Sequence, residues 1–210
     1  LIQPPGCPIY GVWDAKFANK RIDMFIQTER TPNPATLKFL PGVPVMESRT
    51  ANFTAAAEAT NSPLASGLFG INGVTGVFLG ADFITATKSD DKDWEIMKPL
   101  ILGAIMEHFQ SGKAAIEGEG PDTDSADSSA AEPTGGVEMQ IKELIDTRVR
   151  PAVAQDGGDI VFKGFEDGVV FLHMQGACAG CPSSTATLKN GIENMLRHYI
   201  PEVMEVRAVE

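Results

Sequence analysis

The chain has 210 residues, 43% hydrophobic and 21% charged, a composition expected of a soluble globular protein with room for one large domain or two small ones. No run approaches the roughly 18 to 20 apolar residues of a membrane span, which excludes a transmembrane protein. The 28 acidic against 17 basic side chains give a net charge of -11, which disfavours broad binding to nucleic acid phosphates.

In chain order, residues 1–23 carry Pro4, Pro5, Gly6, Pro8 and Gly11 with no helical or strand period and are expected to be an irregular extension. One arginine, Arg21, against Asp14 and Asp23 makes this stretch only weakly similar to a mitochondrial presequence, and Met24 is a candidate start of the working protein. Residues 24–112 are expected to form a first α+β domain. Strand-like runs occur at Met24–Thr28, Leu37–Leu40, Val74–Leu79 and Phe83–Thr87, the last two joined by Gly80-Ala81-Asp82. Met97, Ile101, Ala104, Ile105 and His108 then follow a helical stripe, with Asp93 at the N-cap and Pro99 constraining the first turns. This stripe is expected to be core, with His108 an ordinary helix residue. Thr31-Pro32-Asn33-Pro34 is a rigid turn, the Asn52-Phe53-Thr54 sequon an accident, and nothing here joins a nucleophile to a base, so no catalytic residue is expected.

Residues 113–136 are expected to be an acidic, flexible linker, because Glu117, Glu119, Asp122, Asp124, Asp127 and Glu132 stand among Gly, Pro, Ser and Ala. Like-charge repulsion should keep it extended and the domains apart. Residues 137–210 read as a second small domain. Val137, Ile141, Leu144, Ile145 and Val149 share a helix face that Pro151 and Asp156-Gly157-Gly158-Asp159 should end. Strands Ile160–Lys163 and Val169–Met174 follow across Glu166-Asp167-Gly168. A second helix through Leu188, Ile192, Met195, Leu196 and Tyr199 closes at Pro201, and Val203–Val209 can return as a strand. The expected fold is α+β, two small domains, the second in the order α-β-β-α-β.

The chemistry concentrates in Gly176-Ala177-Cys178-Ala179-Gly180-Cys181-Pro182-Ser183-Ser184, between the second strand and second helix of that domain. Two thiols three positions apart on a small-residue turn can converge on one metal centre. With Ser183 or Ser184 capping the next helix, its positive end should lower both thiol pKa values. Three cysteines in all, Cys7 included, are too few for a secreted disulfide scaffold, so a reducing compartment is expected. Three chemistries compete. A thioredoxin-like redox site places C-x-x-C before a helix, but it needs further strands and a helix, and 29 residues follow Cys181. Zinc would need His173 and His198 as further ligands, at a spacing unlike the usual zinc arrangements. An iron–sulfur cluster prefers a four-thiolate shell, which two chains could complete, each giving Cys178 and Cys181 across a two-fold axis. Such a shared cluster is easily released, which suits a carrier.

The run Arg150-Pro151-Ala152-Val153 with Asp156-Gly157-Gly158-Asp159 and then Gly176–Ser184 resembles the C-terminal domain of NifU and of Nfu-type iron–sulfur proteins. The first half resembles that family's N-terminal domain through Met24–Glu29, Thr31-Pro32-Asn33-Pro34, Leu37-Lys38-Phe39, Ser62-Pro63-Leu64-Ala65 and Lys98-Pro99. The resemblance implies a scaffold or carrier, with no small-molecule turnover, that holds a [4Fe-4S] cluster on Cys178 and Cys181 of paired subunits. It implies a homodimer when loaded, upstream cluster-assembly proteins as donors and apo iron–sulfur proteins as recipients, with no nucleic acid or membrane partner. A thiol oxidoreductase or zinc-stabilised interaction module is the alternative. The start at Met24 favours a bacterial cytoplasm, the mitochondrial matrix being the alternative location.

Overall fold

A computed structural model describes residues 25–46, 49–117, 136–179 and 182–209, without the side chains of 182–184. The extension 1–23 with Cys7, Met24, most of the acidic linker, and Gly180 and Cys181 lie outside the described residues, as do the side chains of Ser183 and Ser184.

The first half builds a five-stranded antiparallel sheet from β1 (Gln27–Arg30), β2 (Thr36–Leu40), β3 (Ala51–Phe53), β4 (Val74–Leu79) and β5 (Ile84–Lys88), in the order β1-β2-β5-β4-β3. Alternation along the strands sends Leu37, Phe39, Val77, Leu79, Ile84 and Ala86 to one face. There they meet Leu64, Ala65 and Leu68 of α1 (Pro63–Phe69) and Met97, Ile101 and Ile105 of α2 (Trp94–Ser111). Each of the larger side chains fully buried there contributes about 1.5–3 kcal/mol. Ser62 starts α1, its hydroxyl accepting from the Ala65 amide at 3.1 Å, with Pro63 at the first helical position where its missing N–H costs nothing. Asp93 has the extended backbone of an N-cap, but its side chain makes no capping bond, and α2 runs on through Pro99.

His108 is buried on the inner face of α2, edge-on to Phe109, and its Nε2 has no hydrogen-bond partner. Burial, helped by the Lys113 charge, holds its pKa below the ordinary 6.5. The unfolded chain therefore takes up a proton at a pH where the folded domain does not. Stability is complete above the ordinary imidazole pKa and declines as the pH falls below it. His108→Phe should flatten this part of the acid sensitivity, read as the dependence of Tm on pH between about 7.5 and 5.

The second half is a separate core. α3 (Gly136–Leu144) continues through a π turn at Ile145–Val149 into α4 (Arg150–Gln155), so Pro151 does not end the helix as the sequence suggested. It falls in the first turn after the π segment. Then come β6 (Gly158–Glu166), β7 (Val169–Gly176), α5 (Pro182–Tyr199) and β8 (Glu205–Val209). β6 and β7 pair antiparallel through a hairpin whose Asp167 and Gly168 have φ of 47° and 82°, while β7 and β8 are parallel. Ile141, Ile145, Val153, Ile160, Val170, Leu172, Leu196 and Val206 fill the space between helices and sheet. The described parts of the two halves are not held apart: Phe78 and Thr85 of the first pack against Gly176 and Gly157 of the second.

Candidate functional site

The loop carrying Cys178 leaves the end of β7 and leads into α5. Tight turns set it: the Ala177 amide donates to Gly157 O at 3.1 Å, the Cys178 amide to Gln175 O at 3.3 Å and the Ala179 amide to Gly176 O at 3.1 Å. The Thr185 hydroxyl donates to Cys178 O at 3.2 Å, tying the loop to the first turns of α5. Gly176 takes φ of 60°, and a Cβ there would lie 2.8 Å from Gly157 O, so loop and Asp156–Asp159 turn are fitted around missing side chains.

That turn has a second use which its sequence did not reveal. A Cβ on Gly158 would run into Cys178 Sγ and lie 2.8 Å from Gln175 O, so Gly158 is the floor on which the thiol sits. Gly158→Ala should expel Cys178 from this seat. It is expected to lower the midpoint of the domain by an overpacking cost of about 1–3 kcal/mol and to speed alkylation of Cys178, both measurable on the metal-free chain.

Cys178 is only 5% exposed and belongs to the apolar core of its domain. Burial, with Asp156 and Asp159 adding negative charge, pushes its thiol up to about 12. This corrects the expectation that the helix dipole lowers it: desolvation and two carboxylates outweigh the nearby start of α5. Cys181 lies outside the described residues. Asp159 is itself buried, gripped by the Arg150 guanidinium through Nε and Nη2 at 2.8 Å each and accepting from the Ile160 amide and the Thr50 hydroxyl. The Asp159 contacts raise the Arg150 pKa further.

His173 lines the same cleft as Cys178, but His173 and His198 do not gather with it into a three-ligand group. His173 Nδ1 is 3.2 Å from Val209 O on the sheet, and His198 stacks edge-on with Tyr199. Among the described residues no three His, Cys, Asp or Glu side chains gather to hold a metal ion, which removes the described part of the zinc arrangement. Cys178 and Ala179 instead line a cleft of about 950 Å³, with Thr50, Asn52 and Glu58 of the first half on its other wall. Sequence reasoning missed Asn33, Lys38, Thr50 and Asn52. Asn33 Nδ2 donates to Ala179 O at 3.0 Å, and Asn52 Oδ1 accepts from the Gly176 amide at 3.4 Å. No periodicity marks such residues; only the rigid turn around Asn33 gave a signal.

Residues 26–112 match the family described as scaffold protein Nfu/NifU N terminal, and residues 141–207 match the NifU-like domain. The human protein named NFU1 iron-sulfur cluster scaffold homolog, mitochondrial, is 53% identical over 89% of this chain and 72% of its own length. The chain belongs to the Nfu family of NifU-like proteins. NifU-like protein 4, mitochondrial, of Arabidopsis thaliana is 50% identical to this Nfu chain over 89% of it and 66% of the plant protein. A solution structure of a NifU-like protein from Saccharomyces cerevisiae is 28% identical, covers 46% of the Nfu chain and 87% of its own, and has a TM-score of 0.42. The mixed helix and strand fold in two domains agrees with the expected α+β class. No helix among the described residues is long and apolar enough to cross a membrane.

Proposed function

We propose that this chain is an iron–sulfur cluster scaffold and carrier that holds a [4Fe-4S] cluster on Cys178 and Cys181 of two subunits and passes it to recipient apo-proteins. The observation that carries this reading is the position of Cys178, in a loop of small residues between β7 and α5 of the domain that matches the NifU-like family. Thiolate is the preferred ligand of iron–sulfur clusters, and two such loops supply the four that a cluster takes. Relatives named iron-sulfur cluster scaffold support the same role, and a scaffold is not an enzyme. Their names favour a mitochondrial setting over the bacterial cytoplasm expected from Met24.

Because the ligands are split between chains, loading is linked to self-association. Anaerobic reconstitution with iron and sulfide should give the absorption and Mössbauer spectrum of a [4Fe-4S] centre at about one cluster per two chains. Ultracentrifugation should then find a dimer that chelation returns to monomers. A colourless chain that took up zinc, or a loaded monomer with one cluster per chain, would overturn the proposal.

A further inference from the structure

The first half is a two-layer structure, with helices on one face of its sheet, so the other face is free to meet solvent or a partner. That face is buried here. Lys38 lies opposite Thr85 in the β2–β5 register, and Thr85 opposite Phe78 in the β5–β4 register, forming one row across three strands. All three are below 7% exposed, yet none belongs to the core on the helix side. What covers them is the second half of the same chain. A Cβ on Gly157 would lie 2.8 Å from Thr85 Cγ2, and one on Gly176 would lie 3.0 Å from Phe78 Cγ. Lys38 Nζ donates to the carbonyls of Ala154 and Gln155 at 3.3 and 2.9 Å, so a cation seals the negative end of α4. Asn33, Thr50 and Asn52 add bonds to Ala179, Asp159 and Gly176.

We propose that this outer sheet face is a binding surface for the Gly157 turn and the Gly176–Ala179 segment of the same chain, and that the chain opens along it before two loops share a cluster. The second clause rests on the proposed function; the first does not. Asn33 holds the carbonyl of Ala179, a residue between the two cysteines, and Phe78 covers Gly176 at the base of the loop. The ground a second subunit must reach is thus already taken. The contact is also built to be reversible. Docking buries the Thr85 hydroxyl without any hydrogen-bond partner, a group that water would satisfy once the halves part. The glycines meet the sheet through backbone, so little side-chain surface has to be stripped away.

The test uses the full-length metal-free chain, with amide exchange and fragment-ion mapping of Cys178 alkylation. Thr85→Arg places a long charged side chain where Gly157 packs, on the face away from the core of its own domain. It should speed exchange of the Gly176 amide and alkylation of Cys178 by roughly tenfold or more, with the β2 amides of Leu37–Phe39 and the β6 amides of Ile160–Phe162 still protected. Thr85→Val keeps the methyl that touches Gly157 and removes the orphan hydroxyl, so it should match or exceed wild-type protection. Should Thr85→Arg disturb its own sheet, Asn33→Ala with Asn52→Ala carries the test with the same expected rise. Folded variants within about twofold of wild type on both readouts would overturn the surface. Reconstitution of the wild-type chain separates the two ideas: failure to take up iron and sulfide counts against the proposed function and leaves the apo result standing. A loaded chain that keeps the Gly176 amide as protected as the metal-free one would overturn the opening step.

Discussion

Cys178→Ala and Cys181→Ala should each leave a folded chain that retains no stable cluster after desalting. In the proposed shared site, a shell with two of its four thiolates lost, one from each subunit, cannot hold the iron. Cys7→Ala should retain near-wild-type iron and sulfide. Cys178→Ala carries a stability cost as well, because Cys178 belongs to the same apolar core as Val153 and Ile160. The loss of one buried heavy atom amounts to about 1 kcal/mol, too little to unfold a domain with so many buried aliphatic side chains. Iron and sulfide analysis alongside a thermal melt separates lost ligation from lost fold. Full cluster retention in either variant would refute the ligand assignment.

Arg150→Ala is expected to be the most damaging single change outside the core. It strands the Asp159 carboxylate, whose side chain is 5% exposed, with the Ile160 amide and Thr50 hydroxyl as remaining donors. Removing one member of a buried pair costs roughly 3–5 kcal/mol, and with the Arg150 side chain 39% exposed a figure of about 2–3 kcal/mol is expected. Since Asp159 adjoins Gly158, the seat of Cys178 should loosen too. Arg150→Lys should recover only part, because an ammonium cannot reproduce the two parallel bonds. Denaturant midpoints of the three proteins provide the check.

Much of the fold was legible because it is written in local periodicity. Val74–Leu79 matches β4 residue for residue, and of the stripe from Met97 to His108 all but the half-buried Ala104 are buried as its spacing required. β3 and α1 were not found: three and seven residues are too short to display a period, and the Ser62-Pro63 that opens α1 stood out only within the family resemblance. The location of the cysteine loop was legible from Cys-Ala-Gly-Cys, whereas the state of Cys178 was not. Whether a thiol near a helix start is activated or silenced depends on desolvation and on carboxylates about twenty residues away in sequence. The packing of the two halves was likewise hidden, since alternation in β2, β4 and β5 says which residues share a face but not what covers it. Phe78, a large apolar side chain that alternation places on the face opposite Val77 and Leu79, was the available clue.

The π turn at Ile145–Val149 acts as a phase corrector. Ile141, Ile145, Val149 and Val153 recur every fourth residue and are all buried. In an unbroken α-helix with 3.6 residues per turn, each step of four advances roughly 40°, so three steps would carry the last side chain about 120° around the axis and out of the core. One wider turn takes up that excess and keeps all four aimed at the sheet while leaving Arg150 pointed at Asp159. Deleting a single residue there would swing α3 by roughly 100° relative to α4, so the protein must choose between burying Ile141 and keeping its buried ion pair. Insertions and deletions that a surface loop would absorb are, at this one point of a helix, changes of register for half a domain.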